Sequence, residues 1–253
     1  MTSSLISCII PVFNGERYLR EAIGRILQQT YHPVEIIVAD DGSTDGTASV
    51  VAGYDEQVMY LQQPHAGPAA ARNLGLSIAR GEFVALLDAD DLWHLEKLTR
   101  QMARFQARPE LDLCITHIQN FWSPELQEEV AHFDQHPLSQ PFPGYVAQTL
   151  LARRALFNAA GQFNPALQHG GVKDWFLRMA EHGASMELLT EILVYRRLHE
   201  TNLSHRKAAT NREEHLRLVK ASLERRRRPG GAAPLSYQFS FPTRPRADDE
   251  GAS

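Results

Sequence analysis

Two cysteines in 253 residues, Cys8 and Cys114, are too few for a disulfide framework. Both fall in apolar runs, where they read as buried strand residues, and the composition suits a reducing compartment. Long hydrophobic stretches are also missing. The longest apolar runs, such as Phe83 to Leu87, are strand-length, well short of the roughly 20 residues a spanning helix needs. Met1 to Ser7 lacks the basic-then-apolar order of a signal peptide. These absences lead to the expectation of a cytoplasmic protein that could touch a membrane only peripherally, at its inner face. No Gly-x-Gly-x-x-Gly follows any apolar run, which argues against a nicotinamide dehydrogenase. The residues after Val12, Phe13-Asn14-Gly15-Glu16-Arg17, are not the glycine-rich basic loop of a nucleotidyltransferase. A global excess of positive charge is absent too: the formal net charge is −4, so no nucleic-acid partner is expected.

The charge that is present is uneven. Residues 205–228 hold nine Lys/Arg against three Glu, a net of +6, while residues 229–253 carry −1. The remaining 204 residues therefore form an acidic body with a net of −9. Apolar residues at 43% and charged residues at 22% are ordinary for a globular chain, and the length suffices for one large α/β domain or two small ones.

Apolar runs alternate with helical periodicity over the first 120 residues. Leu5 to Phe13, Val34 to Ala39, Val58 to Leu61, Phe83 to Leu87 and Leu111 to Phe121 read as strands. Between them, Leu19, Ile23, Ile26 and Leu27 share one helical face, as do Ala70, Leu74 and Ile78, and Leu95, Leu98, Met102 and Phe105 mark a further helix. Asn14 reads as the cap of the first helix, and Ser43 or Thr44 as the cap of a short helix ending near Ala52. The alternation predicts a parallel sheet with helices on both faces. Beyond it, residues 122–145 read mostly as loop, 146–160 as helix or strand plus helix, 172–182 as a helix and Leu188 to Tyr195 as a strand. Residues 206–228 read as a basic helix, and 229–253 as a disordered tail.

Ligands of such sheets bind beyond the carboxyl ends of the strands. Two acidic clusters sit there. Asp88-Ala89-Asp90-Asp91 suits Mg²⁺ or Mn²⁺ held together with substrate phosphates, or simply a turn that caps a helix starting at Leu92. Asp40-Asp41-Gly42-Ser43 suits a turn, or a carboxylate that accepts hydrogen bonds from a base or ribose. Gly67 to Gly75 opens a helix with small residues, and its Arg72 could meet a phosphate or stand at the surface. His132 and His136 form no convincing metal constellation. In Arg225 to Arg228 the positive run could contact anionic lipid head groups, although a solvated helix end accounts for it equally simply.

Four ordered blocks then carry a resemblance: Ser7 to Asn14, Val38 to Thr47, Ala71 to Gly75 and Gly81 to Asp91. In order and spacing they resemble the family 2 glycosyltransferases, strongly over residues 5–105 and more weakly to about 204. The resemblance implies a GT-A fold, α/β with a mostly parallel central sheet. Residues 1–110 would form the nucleotide-sugar half and 111–204 a smaller acceptor half. It implies inverting transfer from a nucleotide diphospho-sugar, UDP being the commonest base carrier, with Mn²⁺ or Mg²⁺ as cofactor. The acceptor would be a saccharide, a lipid-linked saccharide or a peptide, within glycan or polysaccharide biosynthesis. Carried over by position, Pro11, Val12 and Asn14 would line the nucleotide pocket with Glu16 beside it. Asp41 would bond the base, with Asp40 nearby, and Arg72 would lie near the diphosphate. Asp88, Ala89 and Asp90 match the Asp-x-Asp motif, Asp90 as metal ligand and Asp88 at the ribose or in the metal's shell.

Gly171-Val172-Lys173-Asp174-Trp175 resembles the acceptor-side acidic motif, which makes Asp174 the catalytic base. Lys173 stands where the family has Glu. An inward ammonium there would weaken the base, and this departure points toward the alternative of a degenerate member that binds a nucleotide sugar or a protein partner without transfer. Tyr195 to His199, followed by Ser204, resembles a closing motif in which His199 approaches the diphosphate.

Overall fold

The computed structural model describes residues 3–126, 139–167 and 170–200, with Leu218, Lys220, Ala221, Ser222, Glu224 and Arg225. Expectations for His132, His136, Ser204, the tail 229–253 and most of the basic helix 205–228 lie outside the described residues. The six described residues of the last segment are helical.

The chain opens with β1 (Ile6–Val12), buried along its whole length. Helix α1 (Leu19–Leu27) buries Leu19, Ala22, Ile23 and Ile26, spaced to form one stripe. Then come β2 (Val34–Asp40), the short α2 (Thr47–Ala52) and β3 (Val58–Gln62). Helix α3 (Pro68–Ile78) begins with Pro68 in its first turn, where a missing N–H costs nothing. Strands β4 (Phe83–Leu86) and β5 (Leu92–Trp93) precede α4 (Lys97–Ala107). The second half contains β6 (Leu113–Trp122), β7 (Phe142–Pro143), a 3₁₀ turn (Ala147–Thr149), β8 (Leu151–Arg153), α5 (Arg154–Ala159), α6 (Gly171–Glu181) and β9 (Met186–Leu198).

These strands form one sheet in the order β3-β2-β1-β4-β8-β6-β9-β5, with β7 beside β6. Pairings β1–β2, β1–β4, β2–β3 and β6–β9 are parallel. β8 enters antiparallel between β4 and β6, and β5 runs antiparallel to β9. One core layer packs α1 and α4 against the sheet through Leu19, Ile23, Ile26, Leu98, Met102 and Phe105. The opposite layer holds α3, α5 and α6, with Leu76, Phe157, Trp175 and Phe176. Gly75 lets α3 lie directly on β1: a Cβ there would come within 2.4 Å of Ile9 Cγ2.

Several local expectations are corrected. Asn14 does not cap α1, whose N-cap is Tyr18, and Asn14 instead adopts a left-handed φ of 52°. Neither Ser43 nor Thr44 caps α2. Gly46 holds that position. Leu92 does not begin a helix, because the antiparallel partner β9 draws Leu92 and Trp93 into the sheet and delays α4 to Lys97. The loop expected over 122–145 contains β7, which pairs with β6. The strand expected over 188–195 extends over Met186–Leu198, as β6 offers ten partners, with register shifts on either side of His117.

The C-terminal helical residues sit against α6. Arg225 donates twice to Glu181, at 2.6 and 3.0 Å, and Ser222 Oγ donates to the same carboxylate. Among the described residues, no helix is long and apolar enough to cross a membrane.

Candidate active site

The carboxyl ends of β1, β2 and β4 lie side by side because these strands pair in parallel. Loops leaving the first two are stitched together. Asn14 N donates to Ser43 Oγ, and Asn14 Oδ1 accepts from Thr44 N, both at 2.8 Å. Glu16 Oε2 accepts from Gly46 N, and Gly15 N donates to Thr47 Oγ1. Asn14 and Glu16 thus shape this rim through their side chains. Gly15 lets its loop fold back on the end of β1, since a Cβ on it would meet Val12 Cγ2 at 2.3 Å. Pro11 pairs with Ala39 in the sheet, and Val12 O accepts from Asp41 N.

Asp40 and Asp41 point to different partners. Asp40 is fully buried, accepting from Ser43 N at 2.7 Å and from the Tyr60 hydroxyl at 2.5 Å. Burial and this bond to a carboxylate push the Tyr60 phenol well above its ordinary range. Asp41 Oδ1 accepts from Gln63 Nε2 and Ala66 N, and Oδ2 from Gly67 N at 2.8 Å, with His65 Nδ1 also 2.8 Å away. The ring of His65 lies 4.3 Å from that of Phe13, an aromatic side chain 48% exposed. Sequence reasoning passed over both rings; the signal available was an aromatic directly after an otherwise apolar strand.

At the end of β4 the charges converge. Arg72 Nη2 donates to Asp88 Oδ1 at 2.9 Å. Arg72 is 9% exposed, and its Nε has no hydrogen-bond partner among the described residues. His199 Nε2 lies 3.0 Å from Asp90 Oδ2. Asp91 is buried, and accepts from Arg197 N at 2.9 Å and Gln148 Nε2 at 2.7 Å. Desolvation, then the charges of Asp90 and Asp88, push its carboxyl well above the usual range. Gln148 also donates to Asp88 Oδ2 at 2.6 Å. Arg197 Nε donates to Asp90 O, Nη2 to Glu21, and its guanidinium lies over the rings of Tyr18 and Phe121. The structure therefore brings Arg72, Asp88, Asp90 and His199 together, although they come from three separate segments. Asp91, Gln148 and the role of Arg197 were not anticipated. Gln148 carries no local sequence signal.

Asp174 lies in the first turn of α6, at 7% exposure. Its Oδ2 accepts from Arg178 Nε at 2.8 Å. The Arg178 guanidinium is itself fixed by the carbonyls of Ala160, Gly161 and Gln162. Arg178 is thus a cation hydrogen-bonded to Asp174. A packing chain links the two regions: Arg72 lies over the Phe163 ring, and Phe163 packs on Trp175, the neighbour of Asp174.

Carboxylates and a buried arginine thus gather at the strand ends of a mixed sheet. A family model described as glycosyl transferase family 2 matches residues 7–163, and this chain belongs to that family. It is 30% identical over 218 residues to an uncharacterized glycosyltransferase of Rickettsia typhi, covering 80% of this chain and 67% of that one. It is 43% identical over 94 residues to the glycosyltransferase GlyG of Streptococcus pneumoniae, covering 36% of this chain and only 31% of the relative. The structure superposes on S. aureus TarS in complex with UDP-GlcNAc with a TM-score of 0.67, at 21% identity over 86% of this chain and 66% of that one. It also superposes on the mannosyltransferase PcManGT of Pyrobaculum calidifontis in complex with GDP-Man and Mn²⁺, with a TM-score of 0.65, 20% identity and coverage of 92% and 67%. These likenesses establish the GT-A fold.

Proposed function

We propose that this chain transfers a sugar from a nucleotide diphospho-sugar, a UDP-sugar by preference, to an acceptor hydroxyl by a single inverting displacement, in glycan or polysaccharide biosynthesis. The observation that carries this reading is the convergence of Arg72, Asp88, Asp90 and His199 at the end of β4. On this reading residues 1–110 hold the donor and 111–204 the acceptor, a saccharide, lipid-linked saccharide or peptide. Pro11, Val12, Asn14 and Glu16 form the rim of the nucleotide pocket, Ala89 its floor, and Phe13 offers a face on which a base can stack. Asp41 accepts from the base, in place of the exposed His65 that now shares its Oδ2. Asp40 holds the turn beneath it.

Among the described residues no three side chains cluster as a complete metal site. Mg²⁺ and Mn²⁺ do not need one, because one or two carboxylates suffice when phosphate oxygens and water complete the shell. Asp90, with Asp88 on the same loop and the His199 imidazole 3.0 Å away, offers such a partial set, so the residues fit the cation. When bound, it would neutralise charge developing on the leaving diphosphate. Arg72, its Nε unpartnered among the described residues, adds a fixed donor toward the same oxygens. The acceptor oxygen bonds to the anomeric carbon as the bond to phosphate breaks, and Asp174 takes the hydroxyl proton.

The Asp174–Arg178 pair favours a second reading, in which donor is bound without transfer, because the guanidinium occupies one oxygen of the carboxylate. A thermal-shift panel of UDP, GDP, dTDP and CDP, with and without Mn²⁺ or Mg²⁺, tests donor binding. A metal-dependent rise with one diphosphate is expected, and the absence of any rise at millimolar ligand overturns the donor reading. Turnover, including donor hydrolysis, then separates transfer from binding alone.

A further inference from the structure

We infer that Gln148 is a positioning residue for the Asp88–Asp91 loop, tying Asp88 and Asp91 to protein donors so that the cation meets Asp90. This rests on the donor reading above. A glutamine amide has two hydrogens to donate. Here one goes to Asp88 Oδ2 at 2.6 Å and the other to Asp91 Oδ2 at 2.7 Å. The second oxygen of each carboxylate is also engaged, Asp88 Oδ1 by Arg72 and Asp91 Oδ1 by Arg197 N. Asp90, between them, has its Oδ2 on the ring nitrogen of His199. Three carboxylates in a four-residue loop would otherwise compete for one divalent ion, and added anionic oxygens tighten a hard-cation site.

The amide is held to this task from behind. Gln148 is 6% exposed, and three consecutive carbonyls of its turn accept side-chain donors from the segment after the acidic loop. Trp93 Nε1 donates to Gln148 O at 2.8 Å, Gln101 Nε2 to Thr149 O at 2.9 Å, and Lys97 Nζ reaches Leu150 O at 3.4 Å. Trp93, Lys97 and Gln101 are fully buried. The turn that supplies Gln148 is thus locked to β5 and α4, the elements that follow the loop it clamps. This arrangement also ties the second half of the chain to the donor site, 57 to 60 positions away.

The test is Mn²⁺ binding, read by the paramagnetic resonance signal of the free ion, on wild type and on Gln148→Leu, which keeps the bulk and removes both donors. Wild type is expected to bind Mn²⁺ weakly alone and tightly with UDP. Gln148→Leu is expected to bind Mn²⁺ alone roughly tenfold more tightly, with a smaller gain from UDP. Adding Asp88→Asn to that variant should return the affinity toward wild type. A loss of structure cannot mimic a gain in metal affinity that a second substitution reverses. Unchanged or weaker Mn²⁺ binding by folded Gln148→Leu overturns the role, as does a gain that survives Asp88→Asn. If Gln148→Leu fails to fold, Gln148→Met serves the same comparison. Should wild type show no UDP-dependent gain, the donor reading falls, while the comparison with Mn²⁺ alone still decides what Gln148 does.

Discussion

Nε2 of His199 lies 3.0 Å from Oδ2 of Asp90, a contact across 109 positions of chain. Sheet pairing produces it. β5 follows the acidic loop and runs antiparallel to β9, with Leu92 opposite Tyr195, so the end of β9 must pass over Asp90. Arg197 reinforces the crossing through its bonds to Asp90 O and Asp91.

From this contact, His199→Ala should weaken Mn²⁺-dependent nucleotide binding by roughly tenfold, the scale on which neighbours of a metal ligand act. Asp90→Asn should weaken it further. Titration calorimetry with UDP at fixed Mn²⁺ reads both. Equal affinity in His199→Ala and wild type would remove His199 from the donor site.

Asp174→Asn should lower transfer by at least about a hundredfold while leaving nucleotide affinity near wild type, as expected for loss of a general base. The substitution keeps shape, and a carboxamide oxygen can still accept from Arg178 Nε. Steady-state transfer assays alongside nucleotide titrations separate the two effects. Lost nucleotide binding with retained transfer would reverse the assignment.

Glu35 should make part of the stability acid-sensitive. Burial alone raises its carboxyl pKa, but hydrogen bonds from Ser7 Oγ and from the backbone and guanidinium of Arg80 more than offset this, leaving it below its ordinary 4.5. A lowered folded-state value means that stabilisation is complete above about pH 4.5 and is lost as pH falls through the folded value. Glu35→Gln should therefore cost about 2 kcal/mol at pH 7. The difference from wild type should shrink progressively below pH 4.5 in urea titrations.

Lys97 should act in the same direction, but on the alkaline side. Complete burial lowers its pKa to about 7, against opposing influences from Cys8 and Cys114. Between pH 7 and 10 the unfolded chain holds a proton on this amine that the folded chain has released, so stability rises with pH. Relative to Lys97→Met, the wild type should gain up to about 1.4 kcal/mol per pH unit over that range. Parallel stability curves for the two proteins would mean that Lys97 stays charged, held by Gln101 Oε1 and the face of Trp93.

The first half of the fold was legible because its strands are buried on both faces and read as unbroken apolar runs. β1 shows this best, with seven consecutive buried residues. Helix faces in α1 and α4 followed from the 3.6-residue spacing, whereas α3 buries Ala69, Ala71, Arg72, Gly75 and Leu76 rather than the expected face of Ala70, Leu74 and Ile78. The caps were misread because Asn14, Ser43 and Thr44 bond one another across two loops rather than a neighbouring helix start. β5 escaped notice, and β8 stood only as one of two alternatives for 146–160, because two or three residues carry no periodicity of their own. Their existence depends on partners far along the chain.

By itself, then, the sequence determined the alternation of strand and helix, the family, and the placing of Asp40, Asp41, Asp88 and Asp90 at strand ends. Apolar patterning and short motifs are local properties, and local properties survive in a one-dimensional record. Tertiary structure alone decided that Arg72 meets Asp88, that His199 meets Asp90, that Arg178 holds Asp174, and that Gln148 divides its amide between Asp88 and Asp91. Except for the one-turn pair Asp174–Arg178, these contacts join residues at least 16 positions apart. Their partners are chosen by sheet order and by the need of each buried polar group for a complement, and neither is written in the spacing of residues along the chain.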